Sequence, residues 1–401
     1  MDVKYVDHCL ACGSTKLKLA LDLGQQPLAN SYTAAPESQQ HYPLAINLCE
    51  NCFHIQLTHI VDPEIIYKNY LYTTGTSKTM QDYSRWFADF SLKYFYTQPH
   101  SVLDIGCNDG TQLDYYKQLG CKTFGIDPAE NLSLNSSKNH NIIVDFFSPE
   151  VLPKVKDKFD LIVAQNVFAH NPNPVDFLKT CREILTDNGL LFIQTSQANM
   201  IVNKEFDTIY HEHINFFNSY SMKLACERSG LYLIDVIKTP VHGTSYIFIV
   251  SKKASTDIRV EARIIEETDQ GLFSLDTYDR WRYFVETNIN LLKDRILEYK
   301  EQGYKIIGYG AAAKGNTLLN YKQIQLDYIV DDNKLKQNFF TPGMNIPILS
   351  PDTLANESSD RILFLPLAWN FFDEIKEKIL SKRNNRMDKF IRYFPEVLIH
   401  V

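Results

Sequence analysis

The hydrophobic positions between residues 100 and 200 fall into short apolar runs separated by amphipathic stretches. The runs, rich in Val, Ile and Leu, predict strands at Val102–Ile105, Thr123–Ile126, Ile142–Val144, Leu161–Gln165 and Leu190–Thr195. Apolar residues at helical spacing predict helices at Gln112–Leu119 and Pro174–Leu185. Strands that alternate with helices in this way predict a doubly wound parallel sheet.

The pattern continues beyond this central sheet. Strands at Leu231–Val236 and Ser245–Val250 are expected to complete it. A charged stretch, Ser251–Glu267, leads into a long amphipathic helix that ends near Gln302. The strand Lys305–Tyr309 then opens a second α/β unit. We therefore predict an α/β fold with two Rossmann-like sheets in series.

Composition narrows the class of protein. The 401 residues are 44% hydrophobic and 22% charged, which is ordinary for a globular protein. A formal net charge of −7 gives no reason to expect nucleic acid or an anionic membrane as a partner. No apolar run approaches the roughly 20 residues of a membrane span, and no signal peptide is apparent. We expect a cytoplasmic protein whose eight cysteines are reduced or metal-bound.

Four of the cysteines form two Cys-x-x-Cys pairs, Cys9 with Cys12 and Cys49 with Cys52. Two such pairs supply the thiolates that tetrahedral zinc takes in structural sites. A redox role is less favoured, because neither pair lies in a βαβ context; four unrelated buried thiols are the other alternative. We predict a small zinc module in which the protein fills all four positions, so that the metal is structural.

The first predicted strand of the central sheet runs into a glycine turn, Gly106-Cys-Asn108-Asp-Gly110. A strand that ends in such a turn and opens a helix is how α/β proteins hold nucleotide-like ligands, because glycine lets the backbone approach closely. The turn departs from the dinucleotide fingerprint G-x-G-x-x-G. We expect Gly106, Asn108 and Gly110 to contact a cofactor that lacks a pyrophosphate.

Acidic residues end three consecutive predicted strands: Asp104, Asp127 and Asp145. In an open α/β sheet, ligands bind at this edge. Asp127, followed by Pro128, stands about 20 residues beyond the turn, where a carboxylate accepts ribose hydroxyls. Asp145 and Phe146 are placed to address adenine, and Asp104 repels phosphate but suits an ammonium group. The acids predict S-adenosylmethionine (SAM) rather than NAD as the cofactor; the alternative is that each is a helix cap or turn residue.

Proton-handling side chains are concentrated in Tyr210-His211-Glu212-His213. A histidine is the natural general base among them, because its unperturbed pKa leaves it largely neutral at cytosolic pH. In an extended segment, Tyr210 and Glu212 point to one side and the histidines to the other. In a turn, all four reach one pocket. The alternatives to catalysis are a satisfied polar cluster and a metal pair.

Further candidates lie in loops around the central sheet. Asn166 is placed to touch the amino-acid group of SAM or a sugar hydroxyl, and His170 to line the pocket or to cap the next helix. Tyr72 belongs to a stretch, residues 69–77, that is dense in rings and polar groups. That stretch is either a lid over the ligand or a surface loop.

The second α/β unit has its own glycine turn, Gly308-Tyr-Gly-Ala-Ala-Ala313, with Asp331 after the next strand. Taken alone, it matches the dinucleotide fingerprint better than the first turn does. Lys314 and Asn316 are also placed to hold the pyrophosphate of a nucleotide sugar at a helix start. Near the C-terminus, Asn370 is placed to contact a base or a sugar.

The chain resembles a known family, the sugar C-methyltransferases that act on nucleotide-linked deoxy-keto sugars. The motifs that carry the resemblance are, in order, the two cysteine pairs, Leu103-Asp-Ile-Gly-Cys-Asn-Asp-Gly110, Tyr210-His-Glu-His-Ile-Asn-Phe-Phe217 and Gly308-Tyr-Gly-Ala-Ala-Ala-Lys-Gly-Asn316. The resemblance implies a zinc-binding module at 1–75, a SAM-binding domain at 76–255 and a C-terminal Rossmann-like domain at 256–401. The sugar nucleotide is expected between the last two.

The resemblance also implies the chemistry: transfer of a methyl group from SAM, through an enolate, to C3 of a 4-keto-6-deoxy sugar. His213 is the first candidate for the base, with Tyr210 close to the same carbon, Glu212 as an orienting group and His170 as a further catalytic candidate. The candidates for substrate binding are Tyr72, Lys314, Asn316 and Asn370. A dTDP-linked sugar is favoured over GDP- or CDP-linked ones, and the oligomeric state is open. The competing functions are an NAD-dependent oxidoreductase that uses the second glycine turn and a non-catalytic zinc-module binding protein.

Overall fold

The structure, a computed structural model, describes residues 2–67, 75, 78–196, 199–239, 245–256, 258–383 and 385–401. The N-terminal elements are β1 (Val3–Tyr5), β2 (Leu17–Gln26), β3 (Tyr42–Cys49), β4 (Ile55–Leu57), β5 (His59–Val61) and α1 (Pro63–Tyr67). β1 pairs with β5, and β2, β3 and β4 form an antiparallel sheet. Between β2 and β3, residues 27–41 form an irregular segment, which we call the N-terminal arm.

The central part contains the predicted alternation of strands and helices. Its elements are α2 (Lys78–Leu92), β6 (Ser101–Ile105), α3 (Thr111–Gln118), β7 (Lys122–Asp127), α4 (Glu130–Ser136), β8 (Asn141–Val144), β9 (Phe159–Gln165), α5 (Pro174–Ile184), β10 (Leu185–Ser196), β11 (Asn215–Phe216), α6 (Ser219–Arg228), β12 (Tyr232–Thr239) and β13 (Ser245–Ser251). Within the described ranges, seven strands form one sheet in the order β12-β13-β10-β9-β6-β7-β8. Strand β13 runs antiparallel to both of its neighbours. The chain order reverses between β6 and β9, the switch point at which such sheets bind ligands.

The C-terminal part forms the second α/β unit. Its elements are α7 (Arg259–Asp269), α8 (Leu275–Glu301), β14 (Lys305–Tyr309), α9 (Ala313–Tyr321), β15 (Tyr328–Val330), β16 (Ile348–Leu349), β17 (Ile362–Pro366), α10 (Phe372–Lys382), β18 (Lys389–Arg392) and β19 (Leu398–His400). The sheet order is β16-β15-β14-β17-β18-β19, and β19 is antiparallel to β18. The predicted Rossmann-like fold of this unit is confirmed.

The region before β14 differs from its prediction in one respect. The charged stretch Ser251–Glu267 is not only a connector, because α7 begins at Arg259 within it. The helix that was expected to follow is separated from α7 by Gly271, whose φ of +80° is left-handed and ends a helix. Glu267 is buried and accepts hydrogen bonds from the backbone N–H and hydroxyl of Ser219, which fixes α7 against the central part.

The three parts share structure rather than meeting only at surfaces. Strand β11, from the centre of the chain, pairs with β4 and extends the N-terminal sheet. One hydrophobic core joins Leu21 of that sheet, Ile209 before β11, and Trp281 and Leu318 of the C-terminal unit. The domain limits at residues 75 and 255 stay a prediction. Among the described helices, none is long and apolar enough to cross a membrane.

Candidate active site

A cavity of about 1660 Å³ lies at the carboxyl ends of the central parallel strands. Its wall combines the loops that follow β6, β7 and β9, the N-terminal arm, and the loops that follow β14, β15 and β17. The volume exceeds the range of about 300–1,000 Å³ that is usual for one drug-sized ligand. The cavity therefore has room for a cofactor and a substrate together.

The first glycine turn, residues 106–110, brings the backbone to this wall. Gly106 has φ +72°, and a Cβ there would lie 2.2 Å from a Val167 methyl, so only glycine fits. Asn108, with φ +51°, also lines the cavity. Gly110, with φ +86°, precedes the first residue of α3 and is not among the described wall residues. The turn thus presents Gly106 and Asn108 to a ligand, while Gly110 starts the helix.

Two of the predicted acids face the cavity side by side. Asp104 is only 4% exposed and Asp127 only 7%. The oxygens of Asp127 accept the backbone N–H groups of Asn108 and Ala129, both at 2.8 Å. Burial, and then the charge of Asp127, holds the pKa of Asp104 well above its usual range, and burial also raises the pKa of Asp127. A cationic ligand would relieve this repulsion, so the site suits SAM and disfavours phosphate.

The third acid does not reach the cavity. The carboxylate of Asp145 accepts hydrogen bonds from Lys154 at 2.5 Å and from the N–H of Phe146 at 2.8 Å. The Lys154 bond is the main cause that lowers the pKa of Asp145. Phe146 and Phe147 lie on the wall in its place, so this end of the cavity offers rings, as an adenine site does.

The loop after β9 supplies the other predicted contacts of the central part. Asn166, in the left-handed region with φ +55°, and Pro128 across from it lie on the wall. His170 is also on the wall, with its ring centroid 5.2 Å from that of His213. Burial lowers the pKa of His170 to about 4, so this imidazole is neutral at physiological pH.

The segment Tyr210–His213 is a turn, in which the N–H of His213 donates to the carbonyl of Tyr210 at 2.9 Å. Tyr210, Glu212 and His213 line the cavity. His211 instead packs edge-on against the ring of Tyr42, in the protein interior, and burial lowers its pKa to about 4. Three of the four side chains therefore share one pocket, an arrangement that neither the extended nor the all-inward prediction described.

Hydrogen bonds fix the proton positions on His213. Its Nδ1 lies 2.7 Å from the carbonyl oxygen of Thr208, which can only accept, so Nδ1 carries the hydrogen. In the neutral ring, Nε2 then accepts from the hydroxyl of Tyr210 at 2.8 Å. The Nε2 lone pair of His213 is thus engaged by the hydroxyl of Tyr210, and both residues lie on the cavity wall.

Glu212 is held by a residue that the sequence analysis missed. Asn30, on the N-terminal arm, donates its side-chain N–H to Glu212 at 2.6 Å and lies on the cavity wall. Burial raises the pKa of Glu212, against the lowering effect of the Asn30 bond. The two residues are far apart in the chain, so no motif or periodicity linked them.

The second glycine turn, residues 308–313, reaches the cavity wall only with Ala312 and Ala313, and its glycines are not among the described wall residues. The oxygens of Asp331 accept the N–H groups of Ala311 at 2.6 Å and Asn333 at 2.7 Å. The carbonyl of Ala311 accepts the hydroxyl of Tyr32, from the N-terminal arm, and the ammonium of Lys336, both at 2.7 Å. Asp331 is not among the described wall residues. This carboxylate is therefore not presented to a dinucleotide ribose.

The candidate substrate-binding residues separate into two groups. Lys314, in the first turn of α9, and Asn370 lie on the wall. Asn316 is buried, donates to the carbonyl of Ala29 at 2.7 Å, and is not among the described wall residues. It therefore holds the N-terminal arm against α9. Tyr72 falls outside the described residues.

The four predicted zinc ligands converge. Their sulfur atoms all lie within 4.8 Å of one another, and the pairs Cys9–Cys52 and Cys12–Cys49 are each 3.6 Å apart. Four thiolates at about 2.3 Å from one zinc ion have spacings close to this, so the residues present fit the metal. Asn218 at the start of α6 donates to the carbonyl of Cys52, which fixes the module on the central part. The cysteines are not among the described cavity residues, in keeping with a structural metal.

Three family models match the chain in order. They are "Putative zinc binding domain" at residues 9–67, "Methyltransferase domain" at 77–236 and "C-methyltransferase C-terminal domain" at 240–395. C-methyltransferase NovU of Streptomyces niveus is 28% identical over 98% of this chain and 97% of that protein. A ubiquinone biosynthesis O-methyltransferase of Coxiella burnetii is 27% identical over 39% of this chain and 74% of that protein.

Solved structures are more distant. A SAM-dependent methyltransferase from Clostridium acetobutylicum has a TM-score of 0.36 and 12% identity, and covers 43% of this chain and 93% of that one. The family models and the full-length relative confirm the methyltransferase activity, SAM as cofactor and the zinc module. The chain is therefore a SAM-dependent C-methyltransferase that is similar to NovU over nearly its whole length and begins with a zinc-binding module.

Proposed function

We propose that this enzyme methylates C3 of a nucleotide-linked 4-keto-6-deoxy sugar, through an enolate. The observation that carries the proposal is the hydrogen-bonded pair Tyr210–His213, which lies on the same cavity wall as Asp104 and Asp127. Methylation of an oxygen needs no carbon acid to be ionised. A neutral histidine whose Nε2 is oriented by one hydroxyl supports removal of a proton from carbon.

The residues divide the work between cofactor and substrate. SAM, when bound, supplies an electrophilic methyl group on a sulfonium. Asp104 and Asp127 hold its cationic and ribose groups, and Phe146 lies against its adenine. The Tyr210 oxygen takes the proton from the carbon next to the keto group as it passes its own hydrogen to His213 Nε2, and the resulting enolate carbon would then take the methyl group of SAM as its bond to sulfur breaks. Glu212, fixed by Asn30, orients the sugar.

The nucleotide part of the substrate is proposed to lie against the C-terminal loops. Lys314 offers its ammonium group, and the first turn of α9 offers backbone N–H groups that have no helical partner. Lys336 is also on the wall and was not predicted from the sequence. Asn370 completes this side of the cavity. Such a set suits a diphosphate, and a thymidine diphosphate sugar is the first choice, ahead of guanosine and cytidine.

The test is methyl transfer from SAM labelled with ¹³C in the methyl group. The purified enzyme is incubated with 4-keto-6-deoxy sugars linked to thymidine, guanosine or cytidine diphosphate. We expect one of them to acquire a methyl group bonded to carbon, identified by its ¹³C shift and coupling. The reaction should fall by at least about 1,000-fold in His213→Asn, because the base is lost. A methyl group found on oxygen, or no product from any of the three, contradicts the proposal.

A further inference from the structure

Residues 205–209, which precede the catalytic turn, are held by side chains of the C-terminal unit. The indole N–H of Trp281 donates to the carbonyl of Glu205 at 2.9 Å, and the hydroxyl of Thr317 donates to the carbonyl of Ile209 at 3.2 Å. Between these two anchors lies Asp207. The backbone that leads into Tyr210–His213 is therefore shaped by another part of the chain.

Asp207 is the centre of this attachment. One of its carboxylate oxygens accepts the indole N–H of Trp369 at 2.8 Å and lies 2.9 Å from the hydroxyl of Tyr393, whose single hydrogen is shared with the carbonyl of Leu367, also at 2.9 Å. Asp207 is 1% exposed, and its second oxygen has no hydrogen-bond partner among the described residues. Burying a carboxylate that is hydrogen-bonded only to neutral donors has a high free-energy cost, because the charge loses its hydration. A packing role alone would be filled better by an apolar side chain.

The residue after Asp207 contacts the base directly. Thr208 presents the carbonyl that takes the Nδ1 hydrogen of His213 at 2.7 Å, and this bond decides which ring nitrogen is left to accept a proton. The same Trp369 ring lies under the ammonium of Lys314, at 5.5 Å from the ring centroid. One indole thus contacts both a cation of the cavity wall and the carboxylate beside Thr208.

We propose that Asp207 is a positioning residue for the methyl transfer: by holding Trp369 and Tyr393, it fixes the Thr208 carbonyl that keeps His213 in the Nδ1–H tautomer. Asp207 is not among the described wall residues and acts only through Thr208. The inference rests on the proposed role of His213. It adds that the tautomer of the base is set by the C-terminal unit and not by the SAM-binding sheet.

The test follows the tautomer itself, without substrate. Ring ¹⁵N shifts of His213, assigned through His213→Asn, are compared in the wild type, Asp207→Ala and Tyr393→Phe. Wild type is expected to show protonated Nδ1, and Asp207→Ala to lose that signature, with kcat about 100-fold lower but the KM of the sugar and the Kd of SAM within twofold. Tyr393→Phe should lower kcat about fivefold. Asp207→Asn, which keeps an acceptor, should recover kcat to within a few-fold of the wild type.

Tyr278→Phe is the matched control, because it removes another buried hydroxyl of the C-terminal unit, one bonded to Leu272 rather than to Asp207. It should leave kcat and the His213 shifts unchanged. The proposal is overturned if Asp207→Ala keeps the wild-type tautomer, or if Tyr278→Phe lowers kcat as much as Tyr393→Phe. If Asp207→Ala does not fold, Tyr393→Phe decides instead. The proposal is then overturned if Tyr393→Phe has the same His213 tautomer and the same kcat as the wild type. Because the tautomer is read without a sugar, a wrong substrate assignment does not affect this result.

Discussion

The two glycine turns of this chain are built alike yet lie in different surroundings. Each follows a parallel strand beside a switch point, and in each the first left-handed glycine, Gly106 or Gly310, donates its N–H to the neighbouring strand. Asp127 ends the strand next to the first turn, and Asp331 follows the strand next to the second. Each carboxylate accepts backbone N–H groups of nearby loops with both of its oxygens. Backbone geometry alone does not distinguish a cofactor site from a closed loop.

The difference lies in side chains. Two residues before its glycine, the first turn has Asp104, where the second has Gly308. The first turn presents Gly106 and Asn108 to the cavity, whereas the second presents only Ala312 and Ala313 and has Tyr32 and Lys336 bonded to the carbonyl of Ala311. A fold repeated within one chain therefore presents two different sites, and function follows from the site rather than from the fold.

The largest effect on SAM affinity is expected from replacing Asp104, rather than Asp331, by the corresponding amide. Asp104→Asn should weaken SAM binding by at least about 100-fold, since a buried charge facing a cation is lost. Asp331→Asn should leave the Kd of SAM within twofold and lower only the melting temperature, because that carboxylate serves its own loop. Calorimetric titration with SAM measures both. Equal losses of affinity in the two variants would show that the turns are not functionally distinct.

The glycines provide a second matched pair. Gly106→Ala should destabilise the protein by about 3 kcal/mol, because left-handed strain is added to a 2.2 Å clash with Val167. Gly310→Ala carries the strain only, since its nearest side-chain neighbour would be 3.8 Å away, so about 1 kcal/mol is expected. Urea unfolding separates the two values. A larger loss in Gly310→Ala would mean that the second turn is the tighter one.

SAM binding should depend on pH through Asp104. The pKa of this carboxyl is raised in the free protein by burial and by Asp127, and a bound cation favours the ionised form. The affinity for SAM should therefore increase with pH between the ordinary pKa range of a carboxyl group and the raised pKa of Asp104, by at most tenfold per pH unit. Above that raised pKa the affinity should be constant. Calorimetry in two buffers of different ionisation enthalpy should detect proton release. Proton uptake on binding would contradict this assignment.

The smallest effect is expected from the hydroxyl of Tyr32, which contacts the second turn. Tyr32→Phe removes one hydroxyl that donates to Ala311 and should reduce the free energy of unfolding by about 1 kcal/mol. The Kd of SAM should not change, because the first turn is untouched. Denaturant unfolding and SAM titration of the same preparation make the comparison. A changed SAM affinity would indicate that this hydroxyl acts on the first site.

Local patterns predicted the fold and a glycine turn that the structure places on the cavity wall, because strand periodicity, glycine spacing and the acid after a strand are all short-range features. The pairing of Asp145 with Lys154 also had a local signal, a lysine nine residues away, that the sequence analysis did not weigh. Long-range contacts had no such local signal in the sequence. Asn30 reaches Glu212 across 182 residues and Tyr32 reaches Ala311 across 279, and the arm that carries both has no periodicity.

The catalytic turn illustrates the same limit. The types of residue in Tyr210–His213 pointed to proton transfer, but which of them face the cavity depends on a turn closed by a backbone hydrogen bond. The backbone that leads into this turn is held by Trp281, Trp369 and Tyr393, which belong to the C-terminal unit. Its geometry is a property of the assembled molecule.

The most direct test of the methyl-transfer mechanism is solvent exchange without SAM. A thymidine-linked 4-keto-6-deoxy sugar is incubated with the enzyme in D₂O, and deuterium at C3 is followed by NMR. We predict exchange catalysed by the wild type, slowed by about 10- to 100-fold in Tyr210→Phe and abolished in His213→Asn. Exchange at the wild-type rate in His213→Asn would contradict the assignment of His213 as the base.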